Sequence, residues 1–419
     1  MSSLTEPPVA VVVDGYSAGN YYPEAFGRLG ARVLHVQSTP ELIPSMLAPD
    51  LGAYAENIVS CDEQVLADKL RPHHPVCVIP GQESAVMLAD RLSEALGVPS
   101  NGTALSPARR DKYEMIEALR RAGVRCADQF KSGDVEAVVT WAEERGSYPV
   151  VVKPLSSAAS DGVHICHDAA QVRSAAGTVL AVPDIFGGTN TEILVQSYLK
   201  GTEYIVDTVS SDGRSYACGV WQYEKTLLLS GKNIYNRDIL LDADTDPVPA
   251  LIAYVDEVLA ALDVRWGPAH AEVIVTDEGP TLVEIGTRLN GNIDAGFHDV
   301  CLGHNQASLA ALAYTRPEEF REQYLGRTYR RVQPAVVYNT PTELDGVVES
   351  VEASVVEGIS GLGSVHRVAV KLAPGSRIRP TVDLLTSSLR VYLTAPDEER
   401  LTAEYLRVRD LKDDVYRVR

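Results

Sequence analysis

Over the first hundred residues, short apolar runs alternate with amphipathic stretches. VAVVV (9–13), RVLHV (32–36) and VCVI (76–79) read as strands, and the segments around 21–29 and 83–96 read as helices. This repetition predicts a small parallel α/β domain ending near residue 105. The turn VDGYSAG after the first strand lacks the full glycine fingerprint of a dinucleotide site, so the domain reads as structural. Next, Ser106 as cap and Pro107 at the first position open a helix that Gly123 stops. YPVVVKPLSSAASDGVHICHD reads as strand, small-residue loop and strand. TEILVQSYLKGTEYIVDTVSSDG reads as a long strand interrupted at Gly201. A charged, irregular segment covers 223–238 and a helix covers 248–262. From about 327 the chain is short strands and turns, closed by the helix DEERLTAEYLRVRDL.

At 419 residues the chain is too long for a single core. A net charge of −19 argues against duplex nucleic acid or an anionic membrane as partner. It does not exclude a small anionic ligand held by a local cluster of cations. Six scattered cysteines with no C-x-x-C pair read as reduced, mostly buried thiols of a cytoplasmic protein. No basic leader precedes VAVVV, and no apolar run approaches the roughly 18 residues of a membrane span.

The chemistry concentrates in AEVIVTDEGPTLVEIG, a β-hairpin with its turn centred on Asp277–Gly279. Plain pairing sets Glu272 opposite Glu284, and period-two alternation puts His270, Ile274 and Leu282 on the same face. Opposed like charges are destabilising unless something positive lies between them. Two facing carboxylates therefore suggest a hard cation such as Mg²⁺, completed by substrate phosphates. The loop that follows, GTRLNGN, adds Arg288, whose planar fork suits an oxyanion, and Asn290. Upstream, Lys153 closes a strand and opens PLSSAASDG, a loop whose backbone N–H groups can approach anionic oxygens closely. It lacks G-K-[ST], so it is not a Walker A loop.

In this order the segments resemble the ATP-grasp superfamily over about residues 106–300. RRDKYEMIEALRRAGV resembles the segment carrying the first nucleotide lysine, here Lys112. YPVVVKPLSSAASDGV resembles the second, Lys153, with a phosphate loop holding Ser156, Ser157, Ser160 and Gly162. VQSYLKGTEYIV resembles the adenine hinge, Gln196, Ser197, Tyr198 and Leu199, with Glu203 placed for the ribose hydroxyls. GPAHAEVIVTDEGPTLVEIGTRLNG carries the metal glutamates Glu272 and Glu284 and the substrate arginine Arg288. With the C-terminal RPTVDLLTSS, it is most similar to L-amino acid ligases and related natural-product ligases. One position departs. Many ATP-grasp enzymes have an Asn two residues after the second metal Glu, but this chain has Gly286, so Asn290 is expected to serve metal or phosphate.

The resemblance implies an ATP-grasp fold of mixed α/β and α+β class. It divides into an N-terminal Rossmann-like domain (1–105), a first lobe with the phosphate loop (106–195), a second lobe with lid and metal site (196–326) and a C-terminal α+β subdomain (327–419). It implies a mobile lid at 223–238, where Lys225, Lys232 and Arg237 bring cations over the γ-phosphate. His270 is expected as a catalytic residue beside the metal. The implied cofactors are ATP and two Mg²⁺ ions, with Mn²⁺ as substitute. The implied reaction turns a carboxylate into an acyl phosphate and then into an amide or dipeptide. Amino acids are the implied substrates, a homodimer is left open, and neither nucleic acid nor membrane is a partner. Two rivals stay open: a ligase using a γ-glutamyl or non-amino-acid carboxylate, and a catalytically silent nucleotide-binding module. Intact Lys112, Lys153, Glu272, Glu284 and Arg288 count against the second.

Overall fold

β-Branched residues dominate Val9–Val13, and every position of this strand is buried, so it needs partners on both edges and cover on both faces. It has both. The computed structural model describes residues 7–43, 46–155, 162–182, 189–227, 233–382 and 386–419. In it, Val9–Val13 lies between the parallel strands Arg32–Gln37 and Pro75–Pro80, with Glu56–Val59 at one edge. Helix Val86–Leu96 follows the last of these strands and ends at Gly97, whose φ of +68° is the left-handed conformation of a helix stop.

The next helix starts later than its sequence signals suggest. Ser106 does not cap it: its Oγ donates to Asp90 at 2.5 Å, and Pro107–Arg109 is a single 3-10 turn. Fully buried Arg109 holds this turn, donating to Asp90 at 3.0 Å and to the Leu262 carbonyl at 2.9 Å. The helix proper is Lys112–Arg121, capped by Asp111, whose carboxylate accepts from the Tyr113 and Glu114 amides.

A four-stranded antiparallel sheet follows, in the order Gln129–Ser132, Ile193–Ser197, Val150–Pro154, His164–Cys166. Helices Val135–Arg145 and Ala169–Ala181 pack on it through Val138, Ala142, Val172 and Ala176. The long strand expected across Gly201 is two strands in two sheets, Ile193–Ser197 and Thr202–Ser211. Gly201 lies so close to the Val275 carbonyl that any Cβ would collide with it. The chain can pass between lobes there only without a side chain.

Thr202–Ser211 enters an eight-stranded sheet: Gly279–Gly286, Gly267–Thr276, Thr202–Ser211, Arg214–Leu227, Asn233–Leu240, Ala335–Thr340, Leu389–Thr394, Val365–Val370. The segment expected to be irregular, 223–238, is mostly two paired strands of this sheet, while 228–232, including Lys232, lies outside the described residues. The sheet also runs on past residue 327, since three strands of the C-terminal unit extend it. Gly346–Val351, Arg377–Ile378 and Tyr416–Val418 form a separate three-stranded sheet, and the C-terminal unit has its own core around Tyr338, Val391 and Tyr405. Among the described residues no helix is long and apolar enough to cross a membrane. Of the six cysteines only Cys61 is exposed.

Candidate active site

The hairpin register sets the site. Glu272 and Glu284 are direct cross-strand partners, and His270 faces Gly286. A register shift after Glu272 then pairs Val273 with Leu282. Leu282, expected on the metal face, therefore turns with Val273 into the core.

Two lysines from the first lobe meet these carboxylates. Lys112, at the start of its helix, stands 2.6 Å from Glu284 Oε2. Lys153, at the end of its strand, is buried. Burial and then the charge of Lys112 hold it down at about 8, against the opposing pull of Glu284 and Glu272. Burial favours the neutral form of Glu284, but Lys112, Lys153 and Arg288 outweigh it and hold the carboxyl below its ordinary value.

His270 is buried with Nδ1 2.7 Å from Asp207 Oδ1 and Nε2 3.6 Å from Glu272. Burial alone would lower its pKa. The Asp207 carboxylate overrides that and raises it to about 9, so the ring is an imidazolium at neutral pH. Asp207 also accepts from Asn290 Nδ2 at 2.9 Å, and Asn290 Oδ1 accepts from the Asn292 amide at 2.8 Å. Asn290 thus engages Asp207 and its own loop with the two ends of its side-chain amide.

Arg288 donates to the Leu289 carbonyl at 2.9 Å and pairs with Glu83 Oε2 at 3.0 Å. The other oxygen of Glu83 pairs with Arg110 at 2.9 Å. Gly286 makes this approach possible, because a Cβ there would sit 2.7 Å from Glu83 Oε2.

On the neighbouring strand, buried Glu203, expected at the ribose, is 2.5 Å from Lys225 Nζ and accepts from Tyr235 Oη at 3.1 Å. Burial raises its pKa against the pull of Lys225. Arg237, expected over the phosphates, instead pairs with Glu224 and lies 4.4 Å from the Tyr405 ring centre. Of the residues expected at the adenine hinge, Gln196 donates to Gln129 at 2.9 Å, and Ser197 Oγ accepts from the Asp128 amide at 3.1 Å. Tyr198 is exposed and Leu199 half-buried. Ser156, Ser157 and Ser160 lie outside the described residues; Gly162, at φ +67°, packs back on Pro154.

Sequence reasoning missed Glu83 and Asp207. Both act on partners distant in the chain, and only the unusual Gly286 hinted at the first.

Among the described residues no group of three or more His, Cys, Asp or Glu could hold a metal by itself. Two opposed carboxylates beside two lysines instead fit a hard cation whose remaining ligands are phosphate oxygens, which suits Mg²⁺.

Two sheets joined through Gly201 bring Lys112 and Lys153 together with the opposed Glu272 and Glu284, the arrangement of a protein that binds a phosphate-bearing ligand with a hard cation. An ATP-grasp domain matches residues 146–295. The chain is 34% identical to a dapdiamide A synthase of Enterobacter agglomerans, over 99% of this chain and 98% of that protein. Its fold matches an L-amino acid ligase from Bacillus licheniformis (TM-score 0.75, 20% identity, 99% of both chains). It also matches an Aspergillus clavatus carboxyaminoimidazole ribonucleotide synthase complexed with ATP (TM-score 0.71, 14% identity, 98% and 99% covered). The chain belongs to the ATP-grasp family. It is an ATP-dependent ligase that forms a carbon–nitrogen bond between a carboxylate and an amine.

Proposed function

We propose that the protein activates the carboxyl group of an amino acid as an acyl phosphate and passes it to an amine, giving a dipeptide or amide. The observation that carries this reading is the Glu272–Glu284 pair, flanked by Lys112 and Lys153, with Arg288 four residues beyond. Similarity to a dapdiamide A synthase along nearly the whole chain supports an amide product.

In this reading Lys112 and Lys153 hold the phosphates and offset charge on the transferred phosphoryl group. Glu203 and residues 196–199 hold the nucleoside. Glu272 and Glu284 hold two Mg²⁺ ions, or Mn²⁺ in their place, which neutralise phosphate charge when bound. Arg288 binds the donor carboxylate and later the oxyanion formed on amine attack. The His270 imidazolium, fixed by Asp207, adds a second positive group beside that carboxyl. Asn290 works through Asp207.

The test uses each of the twenty proteinogenic L-amino acids with Mg²⁺–ATP and hydroxylamine. Acyl phosphate is trapped as a hydroxamate, in step with phosphate release. A protein that forms amide from pairs of these amino acids but never hydroxamate would refute the acyl phosphate. Absence of both with every amino acid would refute the amino-acid donor.

A further inference from the structure

The turn after the first strand, VDGYSAG, has no part in the chemistry described above, yet its backbone is held under constraint. Asp14 and Ser17 adopt left-handed conformations, at φ +52° and +49°, which residues with side chains adopt only where the surroundings impose them. Those surroundings are specific. Asp14 accepts from the Ser38 amide at 2.9 Å and from Ser38 Oγ at 2.6 Å. The Gly15 amide donates at 2.9 Å to Nε2 of His35, a fully buried residue of strand Arg32–Gln37. An amide N–H can only donate, so Nε2 is unprotonated; Nδ1 carries the proton and faces Asn57 Oδ1 at 2.7 Å. Asn57 in turn donates to Gln37 at 3.2 Å, and Gln37 to the Thr39 carbonyl at 2.8 Å. His35 therefore holds the turn only as a neutral ring in one tautomer.

The turn rests directly on the segment that carries Glu83. Gly81 has no room for a side chain, since a Cβ there would lie 2.5 Å from the Asp14 carbonyl and 2.6 Å from Gly15 Cα. A Cβ on Gly19 would lie 3.0 Å from Gly81 Cα. Gln82 Nε2 donates to the Tyr16 carbonyl at 3.1 Å. Glu83 comes next, paired with Arg110 at 2.9 Å and with Arg288 at 3.0 Å. Arg288 is also near enough to act on the hydroxyl of Tyr22, which opens the helix after the turn. A chain of contacts thus runs from His35 through Gly15, Gly81 and Glu83 to Arg288. Each step is a hydrogen bond, an ion pair or backbone against backbone.

We infer that His35 is a positioning residue for ligation: as a neutral imidazole it fixes the Asp14–Gly19 turn, and through Glu83 it sets Arg288 against the donor carboxyl. Protonation of Nε2 turns an acceptor into a donor facing the Gly15 N–H, which frees the turn and loosens Arg288. The inference rests on the reading of Arg288 as the donor-binding group. Burial favours the neutral ring and outweighs the opposing pull of Asn57 and Asp14, holding His35 below the ordinary histidine value of 6.5. The ring is therefore neutral at neutral pH, and the turn is released only as pH falls below that value. Two other groups face this region. Burial pushes the Tyr54 hydroxyl, its ring centre 4.8 Å from that of His35, far above its ordinary value, so it stays neutral. Glu56, on the strand beside His35, is exposed and turned to His73.

The experiment uses the full chain and two polar variants. In His35→Gln the side-chain carbonyl reaches the place of Nε2 and still accepts from Gly15, but it does not titrate. In His35→Asn the shorter amide reaches only the place of Nδ1 and leaves the Gly15 amide without its acceptor. kcat/KM for the best pair of L-amino acids is followed between about pH 5 and 8, beside Mg²⁺–ATP affinity by calorimetry. The unaltered protein should lose rate as pH falls below the ordinary histidine value. His35→Gln should keep most of the rate and lose that acid limb. His35→Asn should be slower by about 10-fold at every pH, less than the roughly 10²-fold of a full 1 Å misplacement, with ATP affinity unchanged. An acid limb that survives in His35→Gln, or a His35→Asn enzyme as fast as His35→Gln, overturns the relay. Equal losses of rate and ATP affinity in His35→Asn also overturn it, since they report a damaged fold and not a displaced Arg288. A second readout needs no substrate. The Arg288 Nε–H resonance, assigned by its absence in Arg288→Lys, should shift as His35 titrates and stay still in His35→Gln. A resonance that does not follow His35 refutes the relay whatever the turnover. A protein in which it does follow, but which joins no pair of amino acids, upholds the relay and refutes the amino-acid reading instead.

Discussion

Gly286→Ala should slow the enzyme without unfolding it. The added methyl would sit 2.7 Å from Glu83 Oε2 and 3.2 Å from Arg288 Cζ. The carboxylate must retreat by at least about 0.7 Å to reach an ordinary 3.4 Å contact, and the guanidinium by a few tenths. Both obstacles are the far ends of flexible side chains, and the backbone at 286 needs no left-handed conformation, so the fold tolerates the change. The Glu83–Arg288 pair is partly exposed, with side chains at 24% and 19%. Its loss should therefore cost about 1 kcal/mol or less of stability, a shift in Tm of a few degrees at most. The rate is more sensitive, because misplacing a reacting or positioning group by about 1 Å can cost roughly 10²-fold. Hydroxamate formation and a thermal melt on the same sample separate the two effects. Glu83→Ala removes the obstacle, so adding Gly286→Ala to it should change little, a plain failure of additivity. A Gly286→Ala enzyme at full rate, or a double variant whose losses add, would refute the view that Glu83 holds Arg288 in place.

The remaining predictions concern Lys153, Arg288 and the Asp207–His270 pair. Lys153, held at about 8, must carry its proton to hold phosphate, so kcat/KM for Mg²⁺–ATP should fall as pH rises through about 8; Lys153→Arg should move that limb upward, and an unmoved limb assigns it to another group. Arg288→Lys keeps the charge but loses the two-pronged grip, so amide formation should drop roughly 10²–10³-fold while Mg²⁺–ATP affinity by calorimetry stays near normal. Asp207→Asn removes the carboxylate that keeps His270 at about 9 against burial; the ring should lose its proton below neutral pH by NMR, and a His270 still protonated at pH 8 would show that Asp207 is not the cause.

What could be read from the sequence divides by distance along the chain. The opposed glutamates were legible because a short hairpin has one simple register, and counting from its turn gives the pair. The register shift beyond Glu272 left no mark in the pattern, and Leu282 went to the wrong face for that reason. Segment 223–238 looked irregular because its polar residues interrupt the alternation; pairing on both sides makes it strand nonetheless. Ser106 and Pro107 have the composition of a helix start, but buried Arg109 claims the residues around it, and Asp111 becomes the cap. Asp207 and Glu83 were invisible, since their partners lie 63 residues away at His270 and across the whole first lobe at Arg288.

Charge shows the same divide between global and local. The chain carries −19, which taken alone suggests a poor receptor for a polyphosphate. Locally, Lys112 sits on Glu284, Lys225 on Glu203, and Arg110 and Arg288 share Glu83. Lys153 faces Glu272 and Glu284 from a buried position, and His270, held as an imidazolium by Asp207, adds a further positive group. Five basic side chains and one imidazolium thus stand among Glu83, Glu203, Glu272, Glu284 and Asp207, so positive charge offsets these carboxylates locally inside an acidic protein. Several of these charges are half-buried or deeper, where salt screens them least and a charge–charge contact counts most. Exposed charges farther than about 8 Å from this site are largely screened at physiological ionic strength. What an arriving anion meets is therefore set by these few side chains and their register, and the net charge of the chain is no guide to it.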